Sequence, residues 1–196
     1  TSPGLIKTVY QDIGYNASPP MGAGNVVSVT TDTDGINEPW GGGGPANTYP
    51  EDFQVRWQGI WTPTHTGTMW LYAPADDGTR LYLDGQLVIN DWYDKGGGGS
   101  VSAPVAFTAN TPKALTLHFY ENGGGAFVIT YWYNPAVGWE VMPASNFATD
   151  SSYWGPIYTS DITSAQIASM DAAIVRRDAI QIGNSVYIDQ KSGSSN

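Results

Sequence analysis

The segment of residues 73–85, APADDGTRLYLDG, carries the clearest structural signal in the sequence. Its second half, Thr79 to Leu83, alternates apolar and polar side chains, which is typical of a β-strand with one buried face. The dipeptide Asp84-Gly85 follows, and an apolar run resumes at residues 86–89. A two-residue type I′ turn needs positive φ at both central residues and favours Asp-Gly. The sequence therefore predicts a β-hairpin with its turn at this dipeptide.

Two carboxylates, Asp76 and Asp77, stand side by side just before this hairpin. Neighbouring side chains of a strand point to opposite faces, and like charges repel each other. Either Asp76-Asp77-Gly78 is an ordinary polar turn, or a bound cation holds the two charges together. A hard cation such as Ca²⁺ takes oxygen ligands in flexible geometry. The residues alone leave both interpretations open.

Strand patterns continue on both sides of the hairpin. Phe53 to Gln58 alternates apolar and polar residues, which predicts a half-buried strand. Residues 1–52 are expected to be mostly loop, and Asn122 to Gly125 is expected to turn the chain between two antiparallel neighbours. Strands are predicted at residues 26–29, 53–58, 68–72, 79–83, 86–89, 113–120 and 126–133. Regular short strands with turn signals predict an all-β antiparallel sandwich or barrel.

Composition excludes several function classes. The 196 residues carry a net charge of −10, which argues against nucleic acid and anionic membranes as partners, because both attract Lys and Arg. There is no cysteine, so disulfides, thiolate metal sites and cysteine nucleophiles are excluded. No run approaches the roughly 20 apolar residues of a membrane span. The chain begins with Thr1 and shows no signal peptide, so we expect a processed chain or a piece of a longer one.

The sequence does not predict an enzyme. A glycoside hydrolase needs two carboxylates about 5–10 Å apart across a cleft, whereas Asp76 and Asp77 are tied to one place. No serine elbow, P-loop or dinucleotide fingerprint occurs either.

Five phrases occur in a specific order along the chain. They are FQVRWQGIW (53–61), TGT (66–68), ADDGTRLYLDG (75–85), LVINDW (87–92) and ENGGGAF (121–127). In this order they resemble the protective-antigen domain, a β-barrel of about fourteen kilodaltons, over roughly residues 5–149. The family recurs in fungal and bacterial surface adhesins, glycosidases, toxins and phage-related proteins, and many members are calcium-dependent lectins.

The resemblance implies a site. In such lectins the paired aspartates are joined by a cis peptide and both ligate one Ca²⁺, while the sugar completes the shell with two vicinal hydroxyls. Carried over, the ligands are Asp76 and Asp77, which thereby also bind carbohydrate. Further contributors to the metal site are expected at Asn122 and Gly123. The remaining carbohydrate-binding candidates adjoin glycine-rich loops, where the aromatic ones either stack on a sugar or pack in the core: Trp40, Trp92, Tyr93 and Gly124.

The implied function is calcium-dependent carbohydrate binding by an adhesion module of a larger extracellular, cell-surface or phage assembly. Its partners would be glycans or polysaccharide, and its location extracellular or on a cell or virion surface. The alternative is a structural or decoration subunit of a filament, fibre or virion with the same fold and no sugar binding. A carbohydrate-binding module within a larger glycosidase is a third interpretation.

The pattern changes after the predicted domain of residues 1–149. Thr163 to Gln166 is a capping box, and the apolar spacing after it predicts a short helix that ends at Gly183-Asn184. A short strand is predicted at Val186 to Ile188. Residues 184–196 faintly resemble the Gln/Gly/Asn-spaced repeats of curlin-like fibres. We therefore expect residues 150–196 to be a connector or an element for self-association.

Overall fold

The computed structural model describes residues 2–12 and 18–149, together with the backbone of three short strands at 157–158, 178–182 and 185–189. Between residues 2 and 149 the strands are β1 (Ser2–Pro3), β2 (Leu5–Gln11), β3 (Asn25–Asp32), β4 (Asn37–Gly41), β5 (Phe53–Trp61), β6 (Gly67–Tyr72), β7 (Ala75–Asp76), β8 (Gly78–Leu83), β9 (Gln86–Asp91), β10 (Val105–Phe107), β11 (Lys113–Glu121), β12 (Ala126–Ile129), β13 (Tyr131–Asn134), β14 (Gly138–Val141) and β15 (Phe147–Thr149). A single 3₁₀ turn, Ala144–Asn146, precedes the last of them. Among the described residues no helix has the length and apolar character that crossing a membrane requires.

The strands form one large and two smaller antiparallel sheets. The large sheet runs β1-β15-β5-β11-β8-β9, and β2 joins it by pairing with β5 on one side and β3 on the other. The smaller sheets run β10-β6-β13-β14 and β4-β12-β7. Every strand pair among the described residues is antiparallel, so the predicted all-β antiparallel fold is confirmed.

The hydrophobic core lies between the large sheet and the smaller ones. Trp61 of β5 meets Trp132 of β13 with ring centroids 5.2 Å apart, edge to face. Trp40 of β4 lies 6.4 Å from Trp57 of β5 and 5.4 Å from Phe119 of β11. Since aromatic side chains bury large areas and favour these offset and edge-to-face geometries, they join the layers of the sandwich.

The hairpin predicted at Asp84-Gly85 is confirmed. Strands β8 and β9 pair with Leu83 opposite Gln86, which leaves Asp84 and Gly85 as the two turn residues. Their φ values are 48° and 77°, the left-handed values that a type I′ turn requires. The predicted strands at residues 26–29 and 68–72 are also confirmed, within β3 and β6.

Strand β5 is buried on both faces, so the prediction of a half-buried strand was wrong. Gln54 and Arg56 are no more than 1% exposed. Their face is covered because the Gln54 side chain bonds the loop at Pro20 and Gly22 and the Arg56 guanidinium lies 5.7 Å from the centre of the Tyr10 ring.

Two other expectations were wrong. The strands around Asn122 to Gly125 do not pair with each other: β11 pairs with β5 and β8, whereas the second strand pairs in the smaller sheets. That second strand is also split at Thr130, whose N–H bonds the carbonyl of Ile36. Residues 1–52 contain more strand than expected, because β2 fills the position beside β5 in the large sheet.

The C-terminal part forms a separate three-stranded antiparallel sheet, with strands at Ile157–Tyr158, Ser185–Asp189 and Asp178–Ile182 in that spatial order. The predicted strand at 186–188 lies within the middle one. The predicted helix after Thr163 lies outside the described residues as far as residue 177, and so does its end at Gly183-Asn184. Its last part was wrong, because Asp178–Ile182 is a strand that pairs with Ser185–Asp189. The domain division at residue 149 and the self-association role stay predictions.

Candidate metal centre

Two segments of the chain pass from one sheet to another at the same corner of the sandwich. Asp77 is the single residue between β7 of a small sheet and β8 of the large one. Likewise, Asn122 to Gly125 connects β11 of the large sheet to β12 of that small sheet. Asp76 lies opposite Phe127 in one sheet, and Gly78 lies opposite Tyr120 in the other. The topology therefore brings the end of β11 against the paired aspartates.

Three carboxylates meet at this corner, which we call the acid corner: Asp76, Asp77 and Glu121. One carboxylate oxygen of each lies within 4.8 Å of those of the other two. Asp77 and Glu121 are buried, at 5% and 1% exposure, and Asp76 is half-buried. The peptide bond between Asp76 and Asp77 is cis, as the resemblance implied.

Backbone hydrogen bonds fix the Asp77 side chain. One carboxylate oxygen accepts the N–H of Lys95 at 2.7 Å, and the other accepts the N–H of Asn122 at 2.8 Å. Each oxygen keeps a further lone pair that can face a ligand. Asp77 is thus oriented by the two loops that flank it.

Glu121 is the residue that the sequence analysis missed. Both of its carboxylate oxygens are buried, and neither has a described donor in hydrogen-bond geometry. The Gly123 N–H is close enough to lower the pKa of this carboxyl but does not meet that geometry. Burial first, and then the charges of Asp77 and Asp76, raise its pKa to about 8. Burial and the Asp77 charge also raise the pKa of Asp76, against a lowering by Lys95. A cation at the acid corner would offset both the burial of these carboxylates and the repulsion between them.

The signal for Glu121 was present in the sequence. Leu115, Leu117 and Phe119 alternate along β11 and all belong to the core. Position 121 continues this period of two, so a glutamate there extends the apolar face of a strand. A charged residue at a core-facing position requires a partner.

Lys95 supplies the positive charge next to the acid corner. Its ammonium donates to the carbonyl oxygens of Ala75, Asp77 and Gly98 at 2.9, 2.7 and 3.1 Å. Burial lowers its pKa, and Asp91, Asp77 and Asp76 offset part of that change. Its three backbone bonds hold the 95–98 loop against β7.

The predicted loop contributors lie at the acid corner in different ways. Asn122 reaches Asp77 through its backbone N–H, and its side-chain amide donates to Asp94 at 3.0 Å. At Gly123, an added Cβ would lie 3.6 Å from a Glu51 carboxylate oxygen. Gly124 has φ +106° and open space beside it.

Of the three glycines in this loop, Gly125 lies closest to the aspartates. A Cβ added there would meet an Asp76 carboxylate oxygen at 3.3 Å, so a side chain would crowd the acid corner.

The predicted aromatic residues fall into two groups. Trp40 packs at the edge of the core. Trp92 lies 4.7 Å from the Tyr120 ring and 4.8 Å from the Arg80 guanidinium carbon, and its indole N–H donates to Pro19. Tyr93 is 51% exposed, so of these three residues it has the ring most open to a ligand.

The chain belongs to the PA14 domain family, whose model matches residues 1–146. A curated relative is the anti-sigma-I factor RsgI3 of Acetivibrio thermocellus, 27% identical over 128 residues, which make up 65% of this chain and 19% of that protein. The chain therefore corresponds to about a fifth of its relative.

Solved structures show the same fold. An anti-sigma factor domain-containing protein superposes with a TM-score of 0.67 at 23% identity, covering 82% of this chain and 51% of that one. The PA14 sugar-binding domain from RTX adhesin superposes with a TM-score of 0.62 at 17% identity, covering 76% of this chain and all of that one, 100%. At these identities the likeness establishes the fold alone.

Proposed function

We propose that the chain is a calcium-dependent carbohydrate-binding module, with Asp76, Asp77 and Glu121 as the protein ligands of the ion. The observation that carries this proposal is the buried, unpartnered carboxylate of Glu121 beside two further carboxylates. An all-oxygen donor set suits a hard cation. The similarity to a domain described as sugar-binding supports the choice of ligand.

The three carboxylates of the acid corner have different roles in the proposed site. Asp77 is held in place by two backbone amides, so it offers a pre-oriented oxygen. Glu121 closes the site from the core side, and Asp76 faces outward as its half-buried position allows. Bound calcium would supply open coordination positions to sugar hydroxyls. Gly125 and Gly124 leave room for a ligand above the ion, since neither has a side chain.

Tyr93 is the candidate for contact with the apolar face of a sugar. It follows Trp92, whose packing fixes the start of the 93–98 loop, and its own ring is exposed. Trp40 and Trp92 are assigned to packing, because both rings already have aromatic neighbours.

The setting we propose is a larger extracellular or surface protein. Extracellular calcium modules bind with dissociation constants of around 10⁻⁴–10⁻³ M, and the chain covers only part of its relatives. An adhesive setting fits the RTX adhesin neighbour. A regulatory setting, in which sugar binding is the input, fits the anti-sigma factor relatives. Weak single-site affinity would be raised by multivalent display in either one.

A glycan array tests the proposal. The full chain should give signals in calcium that disappear with chelator and in Asp77→Asn, which keeps the shape of the side chain and removes its charge. The control variant is Asp34→Asn, the same change at an exposed aspartate outside the acid corner. A blank array in calcium would refute the proposal and favour the structural-subunit alternative. Signals that survive both chelation and Asp77→Asn would refute the calcium dependence.

A further inference from the structure

A second candidate site lies on the outer face of the sheet that contains β6. Five aromatic residues of three neighbouring strands share this face, which we call the aromatic face: Trp70, Tyr72, Tyr131, Tyr133 and Trp139. The register places Tyr72 opposite Tyr131, and Tyr133 between Trp70 and Trp139. The residues that alternate with them on β6 and β13, Leu71 and Trp132, point into the core and are fully buried.

The aromatic face is exposed and forms a groove. Trp139 is 47% exposed, and its ring centroid lies 6.0 Å from Tyr72 and 5.2 Å from Tyr133. The rings are inclined by 63° and 57° to one another, so they form a groove rather than a flat platform. The groove contains a cavity of about 310 Å³, and its lining consists of Tyr72, Pro74, Val101, Tyr131 and Trp139.

This groove is continuous with the acid corner. Tyr72 is the last residue of β6, and β7 ends at Asp76, four residues further along the chain. Four residues of extended chain span at most about 14 Å. Two isolated bridges, Tyr72 with Val101 and Asp76 with Gly96, hold the loop 96–101 along the same edge. The groove and the acid corner thus share one wall.

The lining of the groove indicates the chemistry of its occupant. It contains no charged side chain, and its tyrosines combine an apolar ring with a hydroxyl. A pyranose ring has the complementary character, with C–H groups on its faces and hydroxyls at its edge. The volume is at the lower end of the range for small-ligand pockets, which suits one or two sugar rings at a time. A net charge of −10 disfavours an acidic polymer.

We propose that the groove lined by Tyr72, Tyr131 and Trp139 is an extended subsite for a neutral polysaccharide, whose chain continues to the acid corner. The inference rests on the proposed function and assigns the ligand as a polymer rather than a single sugar. Aromatic stacking in the groove holds the chain, and the acid corner binds one of its units.

The test is affinity electrophoresis of the full chain in native gels containing galactomannan, xyloglucan or arabinoxylan. At least one polymer should retard the wild type. Trp139→Ala should weaken that binding by about tenfold, the loss of one aromatic contact, whereas Trp139→Phe should retain most of it. The control is Leu87→Ala, a similarly exposed apolar residue on the large sheet, 46% exposed. Calcium binding should be the same in all three variants.

The outcomes separate this inference from the proposed function. In one outcome array signals need calcium while no polymer retards the protein, or while retardation is unchanged in Trp139→Ala. Either result would refute the polysaccharide subsite in the groove and would still support the calcium site at the acid corner. Retardation that survives chelator and Asp77→Asn but is lost in Trp139→Ala would support the groove while the calcium proposal fails. If Trp139→Ala instead converts a dimer to a monomer in sedimentation without affecting retardation, the occupant is a second copy of the chain and the inference is wrong.

Discussion

Glu121→Gln should have opposite effects on the calcium-free and the calcium-bound protein. In the calcium-free protein the Glu121 carboxyl has its pKa raised from 4.5 to about 8. The unfolded chain releases this proton near pH 4.5, whereas the folded chain keeps it until about pH 8. The unfolded state therefore binds fewer protons between these values, and the free energy of unfolding falls as pH rises through that window.

The magnitude follows from the same shift. At pH 7 the full linkage value is roughly 3 kcal/mol, and relaxation with water penetration reduces the expected gain to about 2 kcal/mol. Glutamine has nearly the same shape and no charge, so the variant should be more stable than the wild type by that amount without calcium. The gain should shrink towards zero at pH 4.5.

With calcium bound, the wild type should be the more stable of the two proteins, because only the wild type would keep the third carboxylate ligand. Ligand at 100 times its dissociation constant stabilises a folded state by about 2.7 kcal/mol. Urea unfolding with and without calcium, at pH 5 and pH 7.5, measures both effects. Asp34→Asn is the control, since it removes the charge of an exposed carboxylate outside the acid corner. A variant that is destabilised without calcium, or that keeps the full calcium effect, would refute the reasoning.

Three further predictions concern residues around the acid corner and the core. Lys95→Met should lower the free energy of unfolding by about 2 kcal/mol, because three carbonyls lose their donor; a change below 0.5 kcal/mol in urea would contradict this. Trp92→Ala should cost about 3 kcal/mol of stability, whereas Tyr93→Ala should leave the melting temperature unchanged and weaken glycan binding; the reverse pattern in thermal unfolding and array measurements would exchange their assigned roles. Burial raises the pKa of Asp12 to about 7, so this carboxyl makes the free energy of unfolding fall as the pH rises from about 4 to about 7. Asp12→Asn should reduce that fall, and parallel pH profiles of the two proteins would rule this out.

Much of the fold was predictable, because local patterns dominate where one face of a strand is buried. The hairpin at Asp84-Gly85 needed only turn chemistry. The pairing of the strands around Asn122 to Gly125 was not predictable in the same way, because a glycine-rich loop serves a hairpin and a crossing between sheets equally well. The burial of strand β5 could not be predicted from period-two alternation either. Its polar residue Gln54 is covered by the loop at Pro20 and Gly22, which is distant in sequence.

The sequence predicted two of the three carboxylates of the candidate site. Adjacent charges at Asp76 and Asp77 were conspicuous in the sequence, and the resemblance gave them a role. Glu121 could be picked out as a charged residue on the apolar face of β11, but only the topology shows that it reaches the aspartates. Asn122 was chosen from the same phrase of sequence, yet its side-chain amide turns to Asp94 and its backbone supports Asp77.

Calorimetric titration of the full chain with calcium tests whether the acid corner is a calcium site. We expect one ion per chain, with a dissociation constant of around 10⁻⁴–10⁻³ M, and loss of the binding heat in Asp77→Asn. Absence of binding heat in the wild type, or equal heats in the wild type and Asp77→Asn, would contradict a calcium site at Asp76, Asp77 and Glu121.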